Sequence, residues 1–112
     1  MREQAGMEEI IMDQGRIRHM AVFTLKSPQD SAETKQFLAD GKQILSSIPV
    51  VQHFEVLTQV SSKCEFDFGF SMEFENQEAY DTYNAHPDHQ AFVEKRWKKE
   101  VERFQEIDFK AY

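Results

Sequence analysis

Two histidines flank a Pro-Asp pair in Tyr83-Asn84-Ala85-His86-Pro87-Asp88-His89-Gln90-Ala91-Phe92, a spacing suited to acid–base chemistry. Pro87 marks a helix start, because its ring pre-sets φ and its missing N–H would find no partner in a first turn. His86 then falls near the N-cap and His89 in the first turn. Apolar residues follow at Phe92, Val93, Trp97 and Val101, three and four residues apart, so His89 points along the buried stripe. The positive end of the helix dipole favours a neutral imidazole there. Such a group can serve as a base, with Tyr83 as hydrogen-bonding partner; a core histidine with a satisfied hydrogen bond gives the same pattern, and both readings stand. His86, Asp88 and His89 also suggest a metal, but Pro87 makes His86 a cap and no further ligand is apparent, so no metal site is expected.

These residues need elements to position them. Arg16 to Leu25 reads as a strand with Ile17, His19, Ala21, Phe23 and Leu25 on one face and Met20, Val22 and Thr24 on the other. After Ser27-Pro28, Asp30 with Glu33 resembles a capping box. Phe37, Leu38, Gly41, Ile44, Leu45 and Ile48 then trace an amphipathic helix of about five turns, ended by Pro49. Val50 to Val60 is a second strand. A turn over residues 61–65 leads to a third, where Phe66, Phe68, Phe70, Met72 and Phe74 face one way. At ~25 cal/mol per Å², burying that face contributes on the order of 10 kcal/mol before entropy is subtracted. A short helix runs from Asn76 through Tyr83, a further helix from Pro87 to about Val101, and a closing strand from Phe104 to Tyr112. In that strand Ile107 and Phe109 lie opposite Phe104, Glu106 and Asp108. The order β-α-β-β-α-β predicts an α+β, ferredoxin-like fold with a four-stranded antiparallel sheet. Residues 1–15 read as an N-terminal extension, with a short helix over Glu8 to Asp13, and residues 16–112 as one domain.

Composition narrows the function. The chain has 112 residues, enough for one modest core, and a net charge of −7, which argues against a nucleic-acid partner. Arg96, Lys98, Lys99 and Arg103 cluster, but Glu94, Glu100 and Glu102 interleave with them as on a solvated helix face. No apolar run approaches the ~20 residues that span a bilayer, and the first fourteen residues do not read as a secretory signal. The single cysteine, Cys64, sits in a polar turn, so a reducing, cytoplasmic setting is expected. No Gly-rich phosphate loop or Cys-based metal pattern occurs, and no cofactor is expected. In this topology both helices cover one sheet face. The other, with Met20, Val22, Thr24, Leu57, Gly69 and Ser71, suits a second copy of the chain, so a two-fold homodimer packed sheet to sheet is expected.

Three stretches carry a family likeness: Arg18-His19-Met20-Ala21-Val22-Phe23, Ile48-Pro49-Val50, and Phe74 to Tyr80 running on into Tyr83–His89. Through them the chain, over residues 16 to 112, resembles the stress-responsive A/B barrel (Dabb) domain of the dimeric α+β barrel superfamily. The resemblance implies a dimer whose two four-stranded sheets form a barrel. Most members have no established activity; some plant members are linked to stress tolerance, and plant polyketide cyclases among them use the second histidine of His-Pro-x-His as general base. That histidine is matched by His89, their nearby tyrosine by Tyr83, and a first-strand pocket histidine by His19. Two positions depart from the cyclase pattern: a third-strand histidine falls on Phe68, and a first-helix tyrosine falls near Gly41.

Two classes of function follow. One is a dimer that binds a small apolar or aromatic molecule without turning it over. The other is a cofactor-independent lyase or cyclase with His89 as base and Tyr83 as its partner. His19, Phe23, Phe66, Phe68, Phe70, Tyr80 and Phe92 would line the pocket in either case. The wider superfamily adds a third reading, a cofactor-free monooxygenase.

Overall fold

The computed structural model describes residues 15–112, so the short helix expected over Glu8 to Asp13 lies outside the described residues. Strand β1 (Ile17–Leu25) alternates as its sequence demands, burying Ile17, His19, Ala21, Phe23 and Leu25. Helix α1 (Ala32–Ser46) follows, about four turns long rather than five. Its cap is not Asp30. Ser31 takes that place, its Oγ accepting from the Thr34 amide at 3.2 Å and donating to the Pro28 carbonyl at 2.7 Å. The Pro28 carbonyl also receives the Ser31 amide and the Thr34 hydroxyl, so the turn before the helix locks Ser31 as the cap. Ser31→Ala is therefore expected to lower stability by ~1 kcal/mol in denaturant unfolding, whereas Asp30→Ala should change it by less than ~0.5 kcal/mol.

Strand β2 (Gln52–Thr58) is shorter than expected, and its pairing with β3 (Phe68–Phe74) slips between Gln52 and Glu55. His53 takes up the irregularity in the left-handed region at φ 53°. Strand β3 likewise starts two residues late. Phe66 falls in the preceding loop, held by Gln59 at its carbonyl (2.7 Å), with its ring 5.5 Å from the Arg103 guanidinium. It does not share the face of Phe68, Phe70, Met72 and Phe74.

Helix α2 (Gln77–Ala85) is capped by Asn76, whose Oδ1 accepts from the Ala79 amide at 2.9 Å. His86 ends α2 and caps α3 (Pro87–Phe92), with Nδ1 accepting from the Asp88 amide at 3.1 Å. The helix expected to run on to Val101 is interrupted by a π-helical turn over Val93–Trp97, and only one further turn, α4 (Lys98–Glu100), follows. A π turn makes room for an extra residue and re-aims the side chains after it. Here it accompanies the docking of Trp97 edge-on against Phe23 (5.0 Å between centroids) and Phe104 (5.5 Å). Arg96 bridges to Asp40 of α1 at 2.7 Å. The chain leaves the helix where the Lys26 amide donates to the Glu100 carbonyl, so β4 (Val101–Lys110) begins three residues before the expected Phe104.

The four strands form one antiparallel sheet in the order β2-β3-β1-β4, the α+β ferredoxin-like arrangement. Its core is aromatic: Phe23, Phe37, Phe70 and Phe74 are fully buried, and the Phe37 and Phe70 rings lie nearly parallel at 6.2 Å. Gly41 lets α1 approach β3 this closely, since a Cβ there would stand 2.6 Å from Phe70 Cζ. On the opposite sheet face Leu57 and Phe109 remain 36% and 52% exposed, and Met20 and Val22 are only partly covered. No helix among the described residues is long and apolar enough to cross a membrane.

Candidate active site

A cavity of about 270 Å³ opens between the helices and the sheet, and each wall comes from a different element. Strand β1 supplies His19 and Ala21, β3 supplies Phe70 and Met72, and α1 supplies Leu45. Tyr83 and Asn84 come from α2, His89 and Phe92 from α3. The π turn adds Val93 and Trp97, and β4 adds Phe104 and Glu106. Phe104 is half exposed, so this side forms the rim.

His89 is half-buried, and its ring lies 4.2 Å from that of Tyr83. Its Nδ1–H donates to the Asn84 carbonyl at 3.3 Å, a long bond that a carbonyl can make only with the protonated nitrogen. Nε2 is then the nitrogen left for a molecule in the cavity. Burial holds this imidazole below its ordinary pKa; the Asn84 carbonyl partly offsets that, and His19 adds to it. The neutral preference expected from the helix dipole thus arises mainly from desolvation. Tyr83 is 2% exposed, and burial pushes its phenol well above the ordinary range, so it stays a hydrogen-bond donor. Tyr83 lines the cavity, and no described residue occupies its hydroxyl.

A second polar group sits across the cavity. His19, 4% exposed, has Nδ1 2.6 Å from Asp108 Oδ1. The Tyr80 hydroxyl donates to Asp108 Oδ2 at 2.9 Å and lies 3.0 Å from the same ring nitrogen. A carboxylate can only accept, so His19 Nδ1 carries the proton and Nε2 is again the cavity-side nitrogen, 3.7 Å from Glu106 Oε1. Burial, followed by the hydrogen bond to Asp108, raises the Tyr80 phenol too. Two imidazoles therefore offer the same nitrogen to one space. Each is oriented by an acceptor at the other.

Of the residues expected at the site, His19, Phe70, Tyr83, His89 and Phe92 meet around this cavity. Phe23, Phe66 and Phe68 do not line it. Phe23 stands behind the wall against Phe70 (4.9 Å) and Trp97, Phe68 packs beside Phe23 (6.1 Å), and Phe66 lies in the loop. Tyr80 is not in the wall either; it acts on His19 from the side. Asn84, Trp97, Phe104, Glu106 and Asp108 are site residues that sequence reasoning did not single out. The alternation in β4 put Phe104, Glu106 and Asp108 on one face, but only the register, with Asp108 opposite His19 and Glu106 opposite Ala21, shows that this face turns inward.

Comparison with known proteins follows the same lines. The model of the stress responsive A/B barrel domain matches residues 17–111. A Dabb family protein of Mesorhizobium loti with a ferredoxin-like fold shares 57% identity and a TM-score of 0.87, over 88% of this chain and 99% of that one. A dimeric protein of unknown function from Bacteroides fragilis is 22% identical, with a TM-score of 0.67 over 88% of this chain and 98% of its own. Hydroxynitrile lyase from Passiflora edulis is 14% identical, with a TM-score of 0.74 over 88% and 95% of the two chains. The last two show a shared fold. No curated protein matches this sequence.

Proposed function

Since this chain belongs to the stress-responsive A/B barrel (Dabb) family, we propose that it is a homodimer whose cavity binds a small, single-ring apolar or aromatic molecule and moves a proton on it. The observation that carries this reading is the convergence of two oriented imidazoles and the Tyr83 hydroxyl on one apolar space. At about 270 Å³ the cavity is under twice the ~150 Å³ that accepts a benzene, so one ring with a short substituent fits and a fused polycycle does not. His89 Nε2 takes the proton, and Tyr83 donates a hydrogen bond to the oxygen on which negative charge develops. His89 then returns the proton to carbon or to a leaving group. This sequence needs no group beyond the side chains, as a cofactor-independent lyase or cyclase would require. Exchange of the acidic C–H protons of phenylacetone in D₂O, followed by ¹H NMR, tests it. Exchange faster than buffer at matched pD is expected, and a rate equal to buffer contradicts the catalytic part.

The dimer rests on the sheet face that the helices leave open. Met20 sits at its centre, paired with Ile107 on one side and Ser71 on the other, with Leu57 and Phe109 further out. A single charge buried there without a partner outweighs the gain from the surrounding apolar contacts. Met20→Asp is accordingly expected to sediment as a monomer while the parent sediments as a dimer. A monomeric parent, or a variant that stays dimeric, contradicts the sheet-to-sheet arrangement.

A further inference from the structure

The charge balance of the cavity narrows its ligand. Its polar lining consists of His19, Tyr83, Asn84, His89 and Glu106, with no lysine or arginine. Of the cations nearby in sequence, Arg96 is engaged with Asp40 and Glu100, Lys98 with Glu94 and Arg103 with Glu65, while Lys95 and Lys99 are exposed and outside the lining. Asp108 is occupied by the His19 ring and the Tyr80 hydroxyl. Glu106 is not. Among the described residues it makes no hydrogen bond, and its one ion-pair partner within reach is His19 Nε2 at 3.7 Å, too far for a hydrogen bond. Trp97 and Phe104, packed edge to face with ring centroids 5.5 Å apart, line the same cavity at its rim, while Phe70, Met72 and Phe92 form the apolar interior.

We propose that the cavity takes an arylalkylamine, its ring among Phe70, Met72 and Phe92 and its ammonium at the rim between Glu106 and the Trp97–Phe104 pair, and that it rejects aryl carboxylates. This rests on the binding cavity proposed above, not on its proton transfer, and names a ligand class that the cavity takes. An ammonium at that place gains a carboxylate and an aromatic neighbour. A carboxylate there meets Glu106 with no compensating cation, and the like charges repel. A neutral alcohol of the same size falls between the two, since it keeps the ring contacts and carries no charge for Glu106 to attract or repel.

Trp97 is the only tryptophan of the chain and lies in the wall, so its fluorescence reports occupancy directly. Titration of the full chain with phenethylamine, 2-phenylethanol and phenylacetate should give affinity in that order, with the amine at least about tenfold tighter than the acid. In Glu106→Gln the amine should fall to within about twofold of the alcohol, whose own affinity stays unchanged and reports an intact cavity. Phenylacetate binding as tightly as phenethylamine, or an amine preference that survives Glu106→Gln, overturns the ligand class while leaving the cavity in place. Absence of binding by all three overturns the binding cavity itself, and this inference with it.

Discussion

Phenylacetone exchange by the His89→Ala variant is expected to be at least about 10²-fold slower than by the parent, at unchanged fold. Removing the imidazole takes away the base but leaves Phe70, Phe92, Tyr83 and Trp97 to hold a ring, so binding of 2-phenylethanol should survive. Loss of rate with retained binding separates catalysis from a lining role; full activity in His89→Ala removes His89 from the chemistry. The pH dependence has a definite sign. Burial lowers the His89 pKa, so its neutral, reactive form already predominates below the ordinary imidazole range. The exchange rate should rise with pH through a midpoint below 6.5 and then level off. Stability responds in the same window. The unfolded chain binds the proton more readily there, so stability is fully present above about 6.5 and is lost as pH falls from there towards the lowered folded pKa. His89→Gln should flatten that part of the stability profile.

The second large effect lies in the core. Phe70 is 1% exposed and touches the rings of Phe23, Phe37, Phe54 and Trp97, at centroid distances from 4.9 to 6.3 Å. It also fills the space over Gly41. Phe70→Ala is expected to cost ~3–5 kcal/mol, a large part of the ~5–15 kcal/mol that holds a domain of this size together. Chemical unfolding should show the midpoint falling with little change in slope. The cavity left behind adjoins the binding space, so a larger aromatic probe should partly restore the lost stability. A cost below ~1 kcal/mol would mean that α1 collapses onto β3, and the wall would then be less rigid than the ring stacking indicates.

How far the residues foretell this arrangement depends on the kind of information each position carries. The alternations Ile17 to Leu25 and Phe68 to Phe74 are visible because a strand buried on one face has a strict period of two. His86 and Pro87 announce a helix boundary because proline fixes φ and histidine can cap it. Asp30 misled because Asp and Ser cap almost equally well, and the choice fell to the Pro28 carbonyl, which gathers three donors around Ser31. The π turn at Val93–Trp97 left no trace in the apolar spacing, since an inserted residue is set by the packing of Trp97 against Phe23 and Phe104. The same limit hid half of the site. Glu106 and Asp108 look like solvent-facing acids until the β1–β4 register sets them beside Ala21 and His19. A long helix and a regular strand are local events, whereas a site is a matter of register between distant segments.

The proposed chemistry requires one nitrogen, His89 Nε2, to be an unprotonated base that faces the cavity. Long-range ¹H–¹⁵N spectra of the histidine-labelled protein read it directly. The expected result is an Nδ1–H tautomer for His89 at neutral pH, with a titration midpoint below 6.5 and a shift of the Nε2 resonance when phenylacetone is added. An Nε2–H tautomer, or a ring that titrates like free imidazole and ignores the ligand, contradicts it.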